Sequence, residues 1–211
     1  MNNNICVVDD NFLLHEEIDY LQQIMYSWNN NFSWIYTPTG NMDIGNYRAV
    51  DTKDTNNSMQ FTHVAKLGKT EYSDFSKEAE KVLYKFCKKN NIEIIDVFRI
   101  KANLIPKQSD YLQTNMPHVD DVINIIPKHT DGEHYVFLYY VNNSDGPTVI
   151  FNEKYNGEKK DIFSIKQKIK PVAGRGILFN ANQYHASSIP KKTNLRCIIN
   201  INLIGKKIND N

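Results

Sequence analysis

The sequence predicts a mainly β protein (α+β) with a β-sandwich or jelly-roll core and helices only in its first part. Apolar residues recur at helical spacing before residue 91, and beyond it their spacing shortens toward two. Short strand-like runs then follow one another with turn residues between them and no helical segment. We therefore expect two N-terminal helices packed outside a β-rich core.

Two amphipathic helices are predicted in the N-terminal part. Residues 9–11 offer capping oxygens, and residues 12–28 then carry apolar side chains at helical spacing. Residues 73–74 can cap a second helix, which runs to about Asn90. Residues 32–72, between the helices, predict short strands and loops. The aromatic stripes of both helices indicate core packing rather than a cofactor site.

The second half of the chain carries the predicted strands. Each is rich in β-branched or aromatic residues and is bounded by turn residues. These strands are residues 94–105, 135–142, 148–151, 162–169, 176–179 and 195–204. The length of 211 residues fits a single domain, residues 1–211. Within it, residues 1–92 are expected to form a helical and loop elaboration of a core at 93–205.

Composition narrows the functional classes. The net charge of +1 argues against a dedicated nucleic-acid binder. The three cysteines are widely spaced, which argues against a disulfide framework or a zinc site and favours a reducing, cytoplasmic location. No apolar run is long enough to span a membrane, so we expect no membrane partner.

His118 and Asp120 form the most informative motif. On a strand, residues two apart point to the same side, so an imidazole and a carboxylate can converge on one ion. Asp121 competes for the carboxylate role, but by the same rule it should point to the opposite face. His185 would complete a set of two histidines and one carboxylate, which suits Fe(II) chemistry with O₂. The competing interpretation is a packed histidine followed by a turn.

The strand that contains Arg196 alternates cleanly between two faces. One face is apolar; the other carries Arg196, Ile198, Asn200 and Asn202. A buried arginine requires an anionic partner, and a planar guanidinium pairs well with a carboxylate. Arg196 could therefore hold a carboxylate from the substrate side.

Five stretches resemble the core of the Fe(II)- and 2-oxoglutarate-dependent dioxygenases, and most closely the prolyl 4-hydroxylase-like branch. They lie in the second half of the chain, at residues 116–120, 137–142, 145–151, 171–179 and 184–196. Their order and spacing are more specific than any one of them. The resemblance implies a double-stranded β-helix (jelly-roll) fold for roughly half of the chain.

The resemblance also implies roles for individual residues. His118, Asp120 and His185 would bind Fe(II) and carry catalysis, and Arg196 would bind the distal carboxylate of 2-oxoglutarate. Tyr140 matches a tyrosine whose hydroxyl donates to a 2-oxoglutarate carboxylate in similar enzymes, with core packing as the alternative. Tyr139, the residue before it, should point to the opposite face of the strand and pack in the core.

Three further residues complete the predicted cosubstrate pocket. Thr148 corresponds to a position in the pocket wall. Asn200 would make a second polar contact to the cosubstrate, with a solvent-facing strand position as an equal alternative. Asn103 would add another contact, in a region where prolyl hydroxylases usually have a tyrosine. Because of that departure, the resemblance does not define which residues form one side of the cosubstrate pocket.

The activity that the resemblance implies is hydroxylation with release of succinate and CO₂. The expected cofactors are Fe(II), 2-oxoglutarate as cosubstrate and O₂, with ascorbate as a further candidate. The substrate could be a protein side chain, prolyl or otherwise, or a free amino acid or other small metabolite. A nucleobase is the third class, and the lack of a second arginine shortly after Arg196 argues against it. The alternative outside the enzymes is a non-catalytic jelly-roll binding module.

Substrate specificity is expected at the mouth of the barrel. Residues 122–134 and 30–69 supply loop residues and scattered aromatic side chains that could close over a substrate. Core packing is an equal alternative for each of these aromatics, which are Trp34, Tyr36, Tyr47 and Phe61. His129 and His134 are interpreted as ordinary loop histidines.

Overall fold

A computed structural model describes residues 6–27, 32–37, 58–108, 114–120, 132–158 and 160–208. These ranges contain two helices and eleven strands. In chain order they are β1 (Cys6–Asp9), α1 (His15–Tyr26), β2 (Ile35–Thr37), β3 (Gln60–Leu67), β4 (Thr70–Glu71), α2 (Phe75–Lys89), β5 (Ile92–Pro106), β6 (Glu133–Tyr140), β7 (Thr148–Lys154), β8 (Ile165–Ile169), β9 (Gly176–Asn180), β10 (Gln183–Ser187) and β11 (Leu195–Lys207).

The strands form two antiparallel sheets. The larger sheet has the order β1-β9-β6-β11-β5-β3-β2, with β4 paired to β3, and the smaller sheet has the order β10-β7-β8. Residues 114–120 lie beside β10 through two isolated bridges, Thr114 with Ser188 and His118 with His185. This segment therefore extends the edge of the smaller sheet.

Strand β6, near the middle of the larger sheet, is buried on both of its faces. Along β6, Tyr135, Phe137 and Tyr139 pack with the residues of α1 and α2, whereas Val136, Leu138 and Tyr140 pack toward the smaller sheet. The second group meets Ile150 of β7 and Ile169 of β8. Successive side chains of a strand point to opposite faces, so β6 contributes to two cores. The prediction of a jelly-roll core with helices packed outside it is confirmed.

Of the two predicted helices, α2 matches its prediction and α1 begins later than expected. Helix α2 follows Asp74 and ends at its C-cap, Asn90. Helix α1 begins at His15 instead of at residue 12. The reason is that residues 6–9 form β1, and the Phe12 ring packs beside Phe86, with 5.2 Å between the ring centroids. Residue 28, at the predicted end of this helix, lies outside the described residues.

Each of the six predicted strands has a counterpart, from β5 to β9 and at β11. Strands β1 and β10 were not predicted. The expectation that His118 and Asp120 lie on a strand was wrong, because that segment makes only isolated bridges. The division into residues 1–92 and 93–205 stays a prediction, although β1 to β4 of the first part all join the larger sheet.

All three cysteines, Cys6, Cys87 and Cys197, are free thiols. Among the helices that the structure describes, neither has the length and apolar character needed to cross a membrane.

Candidate metal centre

Three side chains with metal-binding atoms meet at the edge of the smaller sheet. His118, Asp120 and His185 each offer one donor atom, and these atoms lie within 4.8 Å of one another. The two histidines face each other because their backbones exchange two hydrogen bonds of 2.9 Å. Asp120 Oδ1 lies 3.9 Å from Nε2 of His118. The structure thus brings together the three residues that the sequence nominated.

Backbone carbonyls fix both imidazole rings in the same tautomer. Nδ1 of His118 lies 3.1 Å from the oxygen of Met116, and Nδ1 of His185 lies 3.0 Å from the oxygen of Gln183. A carbonyl can only accept, so each Nδ1 carries the hydrogen and each Nε2 keeps its lone pair. Burial, together with the neighbouring His118, lowers the pKa of His185 to about 4. At neutral pH its imidazole is therefore in the uncharged form that binds metal ions.

The Asp120 carboxylate is held by two strands of the larger sheet. Asn200 of β11 donates to Oδ2 at 2.9 Å, and Nη1 of Arg99 on β5 lies 3.5 Å from the same oxygen. Burial alone would raise the pKa of Asp120, but Arg99, the two histidines and Asn200 outweigh it and hold the pKa well below its usual range. An ionised carboxylate and two imidazoles whose Nε2 atoms face the same space form a donor set that fits Fe(II).

The sequence predicted a role in the site for Asn200 but not for Arg99. Asn200 is buried, so the alternative of a solvent-facing position is wrong for it, and its observed partner is Asp120. Its predicted contact with a cosubstrate stays a prediction. Arg99 was not nominated. A signal was available, because Arg99, Lys101 and Asn103 alternate with apolar residues along β5 and so share one face.

A second polar cluster surrounds Arg196, which is only 1% exposed to solvent. Its Nε donates to the oxygen of Gly146 at 2.9 Å, and its Nη2 donates to Oγ1 of Thr148 at 2.8 Å. The Tyr140 hydroxyl donates to the same Thr148 oxygen at 2.6 Å. No carboxylate pairs with Arg196 among the described residues. A buried guanidinium without an anion is a site prepared for one.

Asn103 lies farther from this cluster. It stands opposite Ile198 in the pairing of β5 with β11, which puts it on the face that Arg196 shares. Its amide donates to Oε1 of Gln60 at 2.9 Å. Its proposed contact with a cosubstrate stays a prediction. Gly146, in contrast, was not nominated, and its carbonyl is a direct partner of Arg196.

The predicted mouth of the barrel is only partly described. Asp121, Tyr47, His129 and most of residues 122–134 lie outside the described residues. His134 was interpreted as a loop histidine, and this was wrong. It lies on β6, and its ring packs against Phe98 with 4.9 Å between the centroids.

The aromatic residues expected near the mouth take different positions. Trp34 packs against the helical core and donates to the oxygen of Met25 at 3.0 Å, so its alternative interpretation as a packing residue holds. Tyr36 and Phe61 contact each other, with ring centroids 5.7 Å apart, and Tyr36 is exposed.

No known protein-family profile matches the chain. Nor does any curated protein sequence match it. Solved structures do resemble it. A prolyl hydroxylase from Trichoplax adhaerens, in complex with a hypoxia-inducible-factor peptide, aligns over 96% of this chain and 84% of its own, with 17% identity and a TM-score of 0.56.

Two other solved structures show how widely this similarity extends. The collagen prolyl hydroxylase of Paramecium bursaria Chlorella virus-1 aligns over 96% of this chain and 97% of its own, with 13% identity and a TM-score of 0.51. The α-ketoglutarate-dependent epimerase SnoN of nogalamycin biosynthesis aligns over 96% and 79%, with 10% identity and a TM-score of 0.62. The chain therefore has the double-stranded β-helix fold of the Fe(II)- and 2-oxoglutarate-dependent oxygenases, with prolyl hydroxylases among the structures that share it.

Proposed function

We propose that this protein is an Fe(II)- and 2-oxoglutarate-dependent oxygenase that hydroxylates a protein side chain or a small amino-acid-like substrate. One observation carries the proposal. Two imidazoles with available Nε2 atoms and an ionised carboxylate converge in the same barrel that buries Arg196 without a carboxylate partner among the described residues. A metal ion and a dicarboxylate would both find their preferred partners there.

His118, Asp120 and His185 would hold the metal. When bound, Fe(II) supplies the oxidative chemistry with O₂, in which 2-oxoglutarate becomes succinate and CO₂ and the substrate gains an oxygen atom. The carbonyls of Met116 and Gln183 keep the imidazoles turned toward the ion. Because only three protein residues would bind the metal, positions on it would stay available for the cosubstrate and O₂.

Arg196, Tyr140 and Thr148 would bind the distal carboxylate of 2-oxoglutarate. The guanidinium would supply a charge-assisted contact, and the two hydroxyls already lie within hydrogen-bonding distance of each other. Apolar side chains from both sheets, Leu138 and Ile150 among them, pack next to Tyr140 and keep water away from this anchor. A charge-assisted pair is stronger in such surroundings than in water.

Two solved structures bear on the substrate class. A protein side chain is supported by the prolyl hydroxylase that was solved with a peptide. A small molecule is supported by SnoN, which was solved with Fe³⁺, α-ketoglutarate and nogalamycin RO. No specific observation favours a nucleobase or a non-catalytic binding module. An ascorbate requirement stays a prediction.

Iron-dependent formation of succinate tests the proposal. The protein should be purified without oxygen, loaded with Fe(II) and 2-oxoglutarate, and then exposed to O₂ while succinate is measured. We expect slow succinate formation even without substrate, and its loss in His185→Ala. His15→Ala is the matched control, because the His15 side chain is 90% exposed at the start of α1. Equal succinate formation by His185→Ala, or formation without iron, would refute the assignment.

A non-catalytic binding module would behave differently in the same experiment. It would bind Mn(II) and 2-oxoglutarate but form no succinate in the presence of Fe(II) and O₂. Metal affinity measured alongside succinate formation therefore separates the two functions.

A further inference from the structure

Lys101 projects toward the same side of the larger sheet as the candidate metal centre. It stands directly opposite Asn200 in the pairing of β5 with β11. Residues paired in this way share a face, and Asn200 itself binds Asp120. Arg99, two residues earlier on the same strand and face, also reaches Asp120. The face of the larger sheet that carries Asn200 on β11 therefore continues to Lys101 on the neighbouring strand, β5.

The ammonium group of Lys101 makes no salt bridge within the described part of the chain, and Asp120, the carboxylate that favours its charged form, is already bound by Asn200 and Arg99. No carboxylate, carbonyl or hydroxyl of the described residues accepts a hydrogen bond from Lys101, and its neighbour on β3 is Val64. The residue is half-buried, and burial, together with Arg99, lowers the pKa of Lys101 to about 7. A lysine in these surroundings is stabilised by an anion placed beside it.

The balance of charges in a site that holds Fe(II) and 2-oxoglutarate also favours an additional anion. Among the described residues, Arg99, Lys101 and Arg196 together with a bound Fe(II) would bring more positive charge than Asp120 and the 2-oxoglutarate dianion can neutralise. The cosubstrate alone therefore leaves an excess of positive charge on the described residues of the site. A substrate that carries a negative charge would complete the balance.

Lys101 is poorly placed to bind the distal carboxylate of the cosubstrate, which is assigned to Arg196. Asn200, its partner on β11, lies four residues beyond Arg196, which is about 13 Å along a strand. Tyr140 belongs to β6, on one side of β11, whereas Lys101 belongs to β5, on the other side. Tyr140 and Lys101 thus lie on strands at opposite sides of β11.

We propose that Lys101 binds the carboxylate of the primary substrate, and that this substrate is a free amino acid or a similarly small carboxylic acid. The inference rests on the oxygenase function proposed above. It favours a small acid over a protein substrate because Lys101 is close to the metal ligands. The anionic group must lie near the carbon that is oxidised. A free amino acid has its carboxylate there, whereas an internal residue of a polypeptide has a neutral amide.

Equilibrium binding to the protein loaded with Mn(II) and 2-oxoglutarate tests the proposal without turnover. The probes are the twenty common L-amino acids, titrated one at a time in a calorimeter, and the C-terminal carboxamide of each one that binds. We expect at least one free acid to bind, and its carboxamide to bind at least tenfold more weakly. Lys101→Met should weaken the acid by a similar factor and leave the carboxamide unchanged, because the two changes remove the same contact.

Controls in the same experiment isolate the contact. Lys101→Arg, which keeps the charge, should retain part of the affinity for the acid. Lys168→Met removes an exposed strand lysine of β8 and should change nothing. Lys101→Met should also bind Mn(II) and 2-oxoglutarate with unchanged affinity.

Three results would overturn the proposal. The acid and its carboxamide could bind equally well, Lys101→Met could lose affinity for Mn(II) or 2-oxoglutarate, or no free amino acid could bind at 10 mM. Failure of the oxygenase function is a separate result. It would show as a lack of Mn(II) or 2-oxoglutarate binding in the unmodified protein, or as a lack of succinate with Fe(II) and O₂.

Discussion

Asn200 donates a 2.9 Å hydrogen bond from Nδ2 to Oδ2 of Asp120, so a strand of the larger sheet holds the carboxylate of a proposed metal ligand. Arg99 lies 3.5 Å from the same oxygen. The other oxygen, Oδ1, is left on the side of His118. The protein thus holds Oδ2, and Oδ1 is the oxygen that would be available to a metal ion.

The first prediction is that Asn200→Ala weakens metal binding while the fold survives. Loss of an outer contact to a ligand typically reduces metal affinity by about 10- to 100-fold. The affinity for Mn(II) should be measured by electron paramagnetic resonance, which detects the free ion during a titration. Asn152→Ala is the matched control, since Asn152 makes a 3.0 Å side-chain bond to Ser164 away from the site. Unchanged Mn(II) affinity in Asn200→Ala would contradict the role given to this contact.

The second prediction concerns the cosubstrate anchor. Arg196→Ala should weaken 2-oxoglutarate binding by at least about 30-fold, because removing a charged partner from a buried pair costs about 2–5 kcal/mol. Arg196→Lys should restore only part of this affinity, since lysine lacks the planar fork. The measurement is the KM for 2-oxoglutarate in succinate formation.

Arg175 provides the control for this prediction. Arg175 precedes Arg196 in the chain, and its guanidinium already binds both carboxylate oxygens of Asp10. Arg175→Ala should therefore leave the KM for 2-oxoglutarate unchanged. If Arg175→Ala raised this KM and Arg196→Ala did not, the anchor would have been assigned to the wrong residue.

The alternation of β11 shows what the sequence alone could predict. Its polar face, with Arg196 and Asn200, and its apolar face, with Cys197 and Ile199, separate in the structure as the period-two pattern indicated. The same rule assigned Tyr140 and Tyr139 to opposite sides of β6. Periodicity is a local property, so a single strand reveals it.

Relations between strands could not be predicted in the same way. Arg99 reaches Asp120 because β5 pairs with β11 in one particular register, and no local pattern specifies that register. The start of α1 was mispredicted for a related reason. Capping oxygens at residues 9–11 suggested a helix, but β1 pairs with β9 and uses Asp9 as its last residue. Tertiary pairing outweighed the local preference.

The third prediction is that Gly146→Ala damages the cosubstrate anchor. An added Cβ would lie 2.5 Å from the oxygen of Ser188, so the backbone would have to move. The carbonyl of Gly146 accepts the bond from Arg196, and the movement would displace it. We expect a loss of about 1–3 kcal/mol in unfolding free energy, as for other overpacked sites, and a higher KM for 2-oxoglutarate.

Gly68→Ala separates the two effects. Gly68 has a φ of +57° and open space around its added Cβ, so alanine there should cost about 1–2 kcal/mol through backbone strain alone. It should leave the KM for 2-oxoglutarate unchanged. An equal rise of this KM in both variants would mean that lost stability, and not the displaced carbonyl, causes it.

The last prediction concerns Asp145, whose carboxylate fastens the loop after β10 to the turn that carries Gly146. It accepts hydrogen bonds from the backbone amides of Lys191, Lys192 and Thr193, at 3.2, 2.8 and 3.0 Å, and from the Thr193 hydroxyl at 2.7 Å. Burial would raise the pKa of Asp145, but these bonds outweigh it and lower the pKa below its ordinary value. The carboxylate therefore stabilises the folded protein in its ionised form.

Asp145→Ala should lower the unfolding free energy by about 1 kcal/mol at neutral pH, the usual cost of losing a capping carboxylate that is partly exposed. For a chain of this length, the melting temperature should fall by about 2–4 °C. Because the folded-state pKa is lowered, the stabilisation is complete above the unfolded-state pKa of about 4 and is lost as the pH falls below it. Melting curves of Asp145→Ala and the unmodified protein should thus differ at pH 7 and converge in acid, while Asp161→Ala, at an exposed position, follows the unmodified protein throughout. A constant difference between Asp145→Ala and the unmodified protein from pH 7 into acid would show that the carboxylate charge is not what holds the loop.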